Sequence, residues 1–184
     1  MHGLVFAELE RYVTRGHGAE QWRRIVAEAG VTPRVFVALG TYPDAELMKL
    51  VQGASTVTKT PVTQLLEGFG EFMAPKLFTM YRTVIAPEWR TLDLVENTEQ
   101  VIHTVVRSRG GTPPVLSAQR QDATHLVVTY ASRRKLCALA RGIIRGIAQH
   151  YREDISILEP TCMLRAGKVC RLELTRGPAP GGKT

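Results

Sequence analysis

The chain has little of what membranes, disulfide scaffolds or aromatic-rich nucleic-acid binders need. Its longest apolar runs fall far short of the roughly 18 residues that a membrane span takes, so no membrane helix is expected. Three cysteines scattered through 184 residues are too few for a disulfide framework. They are left as core residues, metal ligands or redox groups. Aromatics make up only 7% and the net charge of +7 is spread along the chain, so nucleic acid is not an expected partner, although an anionic ligand or an acidic protein is favoured. No basic leader precedes the apolar residues of MHGLVFAELERYV, which predicts no signal peptide and a cytoplasmic protein. The five histidines lack His-x-x-x-His spacing, which argues against an all-His metal site. There is no Ser/His/Asp order, no phosphate loop and no pair of carboxylates in an obvious site, so a non-enzyme is expected.

What is present divides the chain in two. Leu4, Phe6, Leu9, Tyr12 and Val13 recur at helical spacing, Trp22, Ile25, Val26 and Ala29 repeat the pattern, and Gly30 ends it. Asp44 opens a further helix, and Thr60-Pro61 reads as an N-cap with proline at the first helical position. The stretch from Val62 carries Leu65, Leu66, Phe69, Phe72, Met73, Leu77 and Phe78, a helix buried on more than one face. Leu92, Val95, Ile102 and Val106 predict one helix over 91–107, with His103 at the edge of its stripe. Past SRGGTPPV the pattern turns to strands: VLSAQRQ, DATHLVVTY, a helix over about 134–151, then DISILEPT, CMLRA and KVCRLELTR, with a hairpin turn at RAGK. The expected class is α+β, a helical N-terminal half packed on a C-terminal antiparallel sheet with an inserted helix. One domain over 1–176 is expected, with a helical part to about 65 and an α/β part beyond, and a disordered tail at 177–184.

Two groups of residues carry chemistry. A lone His at the border of an apolar stripe is most often a satisfied core residue, but it is also what proximal ligation of a heme iron requires. At the strand exit, Tyr130, Ser132 and Arg134 are spaced by two, which points hydroxyls and a guanidinium to one side. The planar guanidinium suits a carboxylate, although the same residues also describe an ordinary solvated turn.

Taken together, MHGLVFAELERYV, Tyr42-Pro43-Asp44, Phe69 to Phe72, His103, Pro113-Pro114 and the Tyr-x-Ser-x-Arg at 130–134 resemble the heme-nitric oxide/oxygen binding (H-NOX) domain. This sensory domain is related to that of soluble guanylate cyclase, and the resemblance runs from Met1 to about Leu174. It implies heme b enclosed between the two halves, with His103 as axial ligand, Tyr130, Ser132 and Arg134 on the propionates, and Pro114 pressing on the porphyrin. It also implies a distal wall of Val5, Phe72, Met73, Phe78, Leu139 and Ile143. Family members that hold oxygen carry a distal Tyr at a position that falls on Leu139, which cannot donate a hydrogen bond. The expected ligands are therefore nitric oxide and CO, with oxygen excluded. The expected partner is a histidine kinase or a cyclic-dinucleotide enzyme.

Cys137, Cys162 and Cys170 match a subgroup that binds zinc through three Cys and one His, with Glu159 here in place of the His. Zinc or a thiol redox switch is thus a further expectation, and the rival reading is a heme-free scaffold of this fold or a thiol or zinc redox sensor acting through these cysteines. Arg141 and Arg145, one turn apart, read as a solvated basic face or a dock for an acidic partner.

Overall fold

Glycine sets the breaks in the helical half. In the computed structural model, which describes residues 1–178, α1 (Gly3–His17) and α2 (Ala19–Glu28) are separated only by Gly18. Its φ of 85° lies in the left-handed region, where a side chain would be strained. Helix α3 runs Asp44–Thr58, with Asp44 and Glu46 in its first turn, where carboxylates face the positive end of the helix dipole. Helix α4 spans Val62–Tyr81. Its cap is Pro61 rather than Thr60: Pro61 is extended, at ψ 140°, and its carbonyl accepts the Leu65 N–H at 3.0 Å.

The helix expected over 91–107 is three pieces. α5 (Thr91–Asn97) passes into a π-helical turn (Thr98–Ile102), and α6 (His103–Ser108) follows. The His103 N–H donates to the Thr98 carbonyl, five residues back, so the backbone is widened immediately before this histidine. Such insertions are frequent at functional sites.

Four antiparallel strands follow: β1 (Val115–Arg120), β2 (His125–Ala131), β3 (Ile155–Thr161) and β4 (Cys170–Arg176), in the order β1-β2-β4-β3. Helix α7 (Cys137–Tyr151) is inserted between β2 and β3. The segment CMLRA does not form a strand. Met163–Arg165 is a 3-10 turn inside the β3–β4 hairpin, and the pairing of β3 is already irregular between Leu158 and Thr161, where Pro160 supplies no N–H. The predicted tail lies outside the described residues from position 179 onward.

Apolar side chains collect into three clusters that meet at α7. Leu136 and Ala138 join the helical core of Phe6, Ile25, Leu50 and Phe69, while Ile144 and Ile147 cover the sheet face of Leu126, Val128, Leu172 and Leu174. Cys137 turns to Tyr130, Cys162 and Cys170. The close contact of α4 with α7 depends on small residues: Gly70 lies against the Leu139 and Ile143 backbone, Gly142 against Glu67, and Gly146 against Ala74 and the Glu71 carbonyl. That carbonyl stands four residues before Pro75, whose missing N–H leaves it without its usual helical partner.

Candidate functional site

His103 is buried at the start of α6, and its Nδ1 lies 2.8 Å from Glu99 Oε2. The same oxygen accepts the Leu116 N–H of β1 at 3.0 Å, and Arg107 binds the other oxygen of Glu99. Burial pulls the Glu99 pKa up, but the bonds from His103, Leu116 and Arg107 overcome it and hold the carboxyl below its usual range. For His103 burial dominates and lowers the pKa, against the opposing pull of Glu99 and the Pro114 carbonyl. Burial thus favours the neutral imidazole. With an ionised carboxylate at Nδ1, the consistent assignment puts the proton there and leaves a lone pair on Nε2.

The Tyr130, Ser132 and Arg134 set is brought together by Ser132. Its Oγ accepts the Arg134 backbone N–H at 3.2 Å. Burial raises the Tyr130 phenol above its ordinary value, and hydrogen bonding with Ser132 works the other way. The Arg134 guanidinium is aimed by its own chain: Nε donates to Asp44 Oδ2 at 2.6 Å, Nη1 to the Thr112 carbonyl at 2.6 Å, and Nη2 to the Thr112 hydroxyl at 2.8 Å. The terminal ammonium of Met1 holds the other oxygen of Asp44 at 2.7 Å. A cavity of about 230 Å³ opens beside this turn, with Asp44, Met48, Arg133 and Arg134 in its lining. It is smaller than the roughly 300–1,000 Å³ of a typical ligand pocket, and His103 is not in its wall.

The residues expected to form one distal wall fall into two groups. Val5, Phe72, Met73 and Leu139 pack in the helical core, whereas Phe78 and Ile143 pack on the sheet side. Phe78 stacks on His150 with ring centroids 3.9 Å apart and meets Tyr151 edge-on. Tyr12, absent from the expected set, lies between Phe69 and Phe72, and its hydroxyl sits 2.4 Å from where a Cβ on Gly68 would stand.

A family profile described as Haem-NO-binding matches residues 2–159. The chain belongs to this family. Its members are heme-based gas sensors, and the solved H-NOX structures agree with the fold. An H-NOX protein from S. oneidensis in the Fe(II)NO state is 27% identical, with a TM-score of 0.89 over 97% of this chain and 100% of that one. The SO2144 H-NOX domain from Shewanella oneidensis in the Fe(II)CO state is also 27% identical, with a TM-score of 0.84 over 96% and 99%. An unliganded H-NOX protein from K. algicida, 20% identical with a TM-score of 0.88 over the whole of both chains, supports the fold alone. No curated protein gave a match. No helix among the described residues is long and apolar enough to cross a membrane.

The donor chemistry of this H-NOX chain is compatible with a heme: a buried imidazole held at Nδ1 by Glu99, and Tyr130, Ser132 and Arg134 following one another at a strand exit.

The three cysteines, distant in sequence, converge. Cys137 and Cys162 sulfurs are 3.6 Å apart and Cys162 and Cys170 sulfurs 3.8 Å, and with a Glu159 oxygen all four donor atoms lie within 4.8 Å of one another. Zn–S bonds of about 2.3 Å in a tetrahedron place sulfurs about 3.8 Å apart. Glu159 Oε1 is buried without a hydrogen-bond partner, while Oε2 accepts from Arg141 at 2.5 Å. Arg141 also donates to Glu67 at 2.6 and 2.9 Å, and Arg145 binds the other Glu67 oxygen. Arg141, 12% exposed, departs from the expected solvated face and joins α7 to α4 and β3, whereas Arg145 pairs with Glu67 but remains 41% exposed.

Sequence reasoning missed Glu99, Asp44 as the partner of Arg134, and the glycine contacts of α4 with α7. The i,i+4 spacing of Glu99 to His103 and the Gly-x-x-x-Gly at 142–146 were available signals. The pairing of Asp44 with Arg134, 90 positions apart, had none.

Proposed function

We propose that this chain is a heme-based nitric oxide sensor that excludes oxygen and signals to a partner protein rather than catalysing a reaction. Bound heme supplies a ferrous iron with one open coordination position for a diatomic gas. The observation that carries the reading is His103, buried and oriented at Nδ1 by Glu99, which makes Nε2 the nitrogen to ligate. Arg134, Ser132 and Tyr130 supply donors for the propionates, with Asp44 and Thr112 fixing the guanidinium, and enclosure between the halves requires the side chains around His103 to part. Pro114 stands beside the ring of His103 as the residue to press on the porphyrin. Leu139 offers no hydrogen bond, and the Tyr12 hydroxyl is directed at Gly68, so negative charge on bound oxygen goes unstabilised. The homologues described with NO and CO support the choice of gas. Were gas binding to weaken the hold on His103, α6 and the Glu99 contact to β1 would shift together, and a partner that prefers one arrangement would read the change. The resemblance makes that partner a histidine kinase or a cyclic-dinucleotide enzyme in the cytoplasm.

The test is the absorption spectrum of anaerobically reduced protein before and after NO, then in air. A Soret band that moves with NO and ignores oxygen is expected. His103→Gly should abolish the five-coordinate ferrous spectrum, with rescue by imidazole, and an unchanged spectrum would sink the assignment.

A second reading is favoured by three thiols and a Glu159 oxygen within 4.8 Å of one another, with Glu159 Oε1 left without a hydrogen-bond partner. Cys137, Cys162, Cys170 and Glu159 form a metal site, with zinc the ion suited to it, or a thiol redox switch. Metal analysis of purified protein, with Cys170→Ser as control, tests it.

A further inference from the structure

We propose that Glu99 is the positioning residue that sets how strongly His103 holds its iron, by drawing on the Nδ1 proton and enriching the lone pair at Nε2. The inference rests on His103 as the axial ligand and deepens that reading. A carboxylate on the far nitrogen of a ligating histidine fixes the ring's tautomer and orientation and raises its basicity.

The structure builds this contact from three elements. The π-helical turn over Thr98–Ile102 places Glu99 and His103 on a widened backbone, where the His103 N–H goes to Thr98 and the pairing of these two residues is made by their side chains alone. The Leu116 N–H from β1, at 3.0 Å, pins the same oxygen that faces Nδ1. Arg107, one turn beyond His103, holds the other oxygen. Neither partner is free in solvent: the imidazole is 11% exposed and the carboxylate 26%. An exposed Glu–His pair at this spacing would be an ordinary helix-surface contact. Here the carboxylate is anchored from outside its own helix, two residues past Pro114, so it ties the orientation of His103 to the start of the sheet.

The arrangement has opposing levers. Glu99 enriches His103, and Arg107 withdraws charge from Glu99. A residue that merely anchors Leu116 would change stability and leave the properties of the iron alone. Under the proposal, Glu99→Gln keeps an oxygen for the Leu116 N–H but removes the charge, and Arg107→Gln keeps the carboxylate but frees it. The two variants should therefore move the iron–histidine bond in opposite directions.

The experiment is resonance Raman spectroscopy and spectroelectrochemistry of heme-loaded wild type, Glu99→Gln and Arg107→Gln. It is accompanied by long-range ¹H–¹⁵N NMR of ¹⁵N-histidine-labelled, heme-free protein. Expected are an Nδ1-protonated tautomer for His103 in the heme-free wild type, a downward shift of the ferrous iron–histidine stretch with a raised reduction potential in Glu99→Gln, and the reverse of both in Arg107→Gln. Glu99→Asp, which shortens the reach and keeps the charge, gives the same reading as Glu99→Gln should the latter load heme poorly. Heme-loaded variants with the wild-type stretch and potential, or a His103 protonated at Nε2 in the heme-free protein, overturn the inference and leave His103 as ligand standing. A wild type that takes up no heme overturns the reading of the site, and the inference with it.

Discussion

Gly142 on α7 lies directly against Glu67 on α4: a Cβ at position 142 would stand 2.0 Å from the Glu67 carbonyl oxygen and 2.8 Å from its carbonyl carbon. Backbone cannot move aside as a flexible side chain can, so Gly142→Ala must push the two helices apart. A loss of about 1–3 kcal/mol is expected, read from the urea midpoint. Gly16→Ala is the control. Nothing lies within 4 Å of its Cβ, and the ordinary gain of roughly 0.5–1 kcal/mol for alanine in a helix is expected there.

Arg141 joins Glu67 and Glu159, and all three side chains are at most 20% exposed. Arg141→Gln removes the cation that Glu67 and Glu159 share, although Glu67 keeps Arg145, and a loss of about 1–3 kcal/mol follows from the unsatisfied carboxylate oxygens. Chemical denaturation at pH 7 reads it directly. A change below about 1 kcal/mol, the range of surface ion pairs, would show that the network is solvated.

Acid sensitivity follows from three carboxylates. At Asp44, Glu67 and Glu99 burial raises the pKa, but the Met1 ammonium and Arg134, Arg141 and Arg145, and His103, Leu116 and Arg107, respectively, bring it below the ordinary value. A folded pKa below the unfolded one gives stability that is present above the unfolded pKa, about 4, and lost as pH falls through the folded values. Thermal midpoints should therefore begin to fall below about pH 6.5, where His103, its pKa lowered by burial, must take up a proton, and drop further below about pH 4 as the three carboxylates are protonated. A midpoint insensitive to acid would contradict these contacts.

Leu139 packs among the helical-core residues, and a phenol there would bring a donor to the side expected to face the gas. Leu139→Tyr should slow loss of oxygen from the ferrous protein, measured by stopped-flow, with some destabilisation from overpacking. Tyr12→Phe should leave the response to oxygen unchanged, because its hydroxyl already faces Gly68.

The three thiols are fully or almost fully buried, and burial pushes the Cys137 and Cys170 thiols upward. Metal-free protein should react with iodoacetamide only as fast as it opens. One equivalent of zinc should raise the thermal midpoint, an effect lost in Cys170→Ser. Binding that survives this substitution would place the metal elsewhere.

Much of this molecule was written in local pattern. The 3.6-residue spacing of Leu4, Phe6, Leu9 and Val13, the alternation of Leu126, Val128 and Tyr130, and the glycines at 18 and 30 determine α1, β2 and the helix breaks, because periodicity and left-handed backbone are properties of neighbouring residues. The order of motifs from the N-terminus through His103 to Arg134 likewise placed the chain in its family. Tertiary structure decided what depends on distance. It split the helix before His103 with a π turn, chose Asp44 and Thr112 as partners of Arg134, gathered Cys137, Cys162 and Cys170 around Glu159, and tied Arg141 and Arg145 to Glu67 and Glu159. Those outcomes rest on which backbones come within a few ångströms of one another, as Gly142 and Glu67 do, and no local spacing encodes that approach.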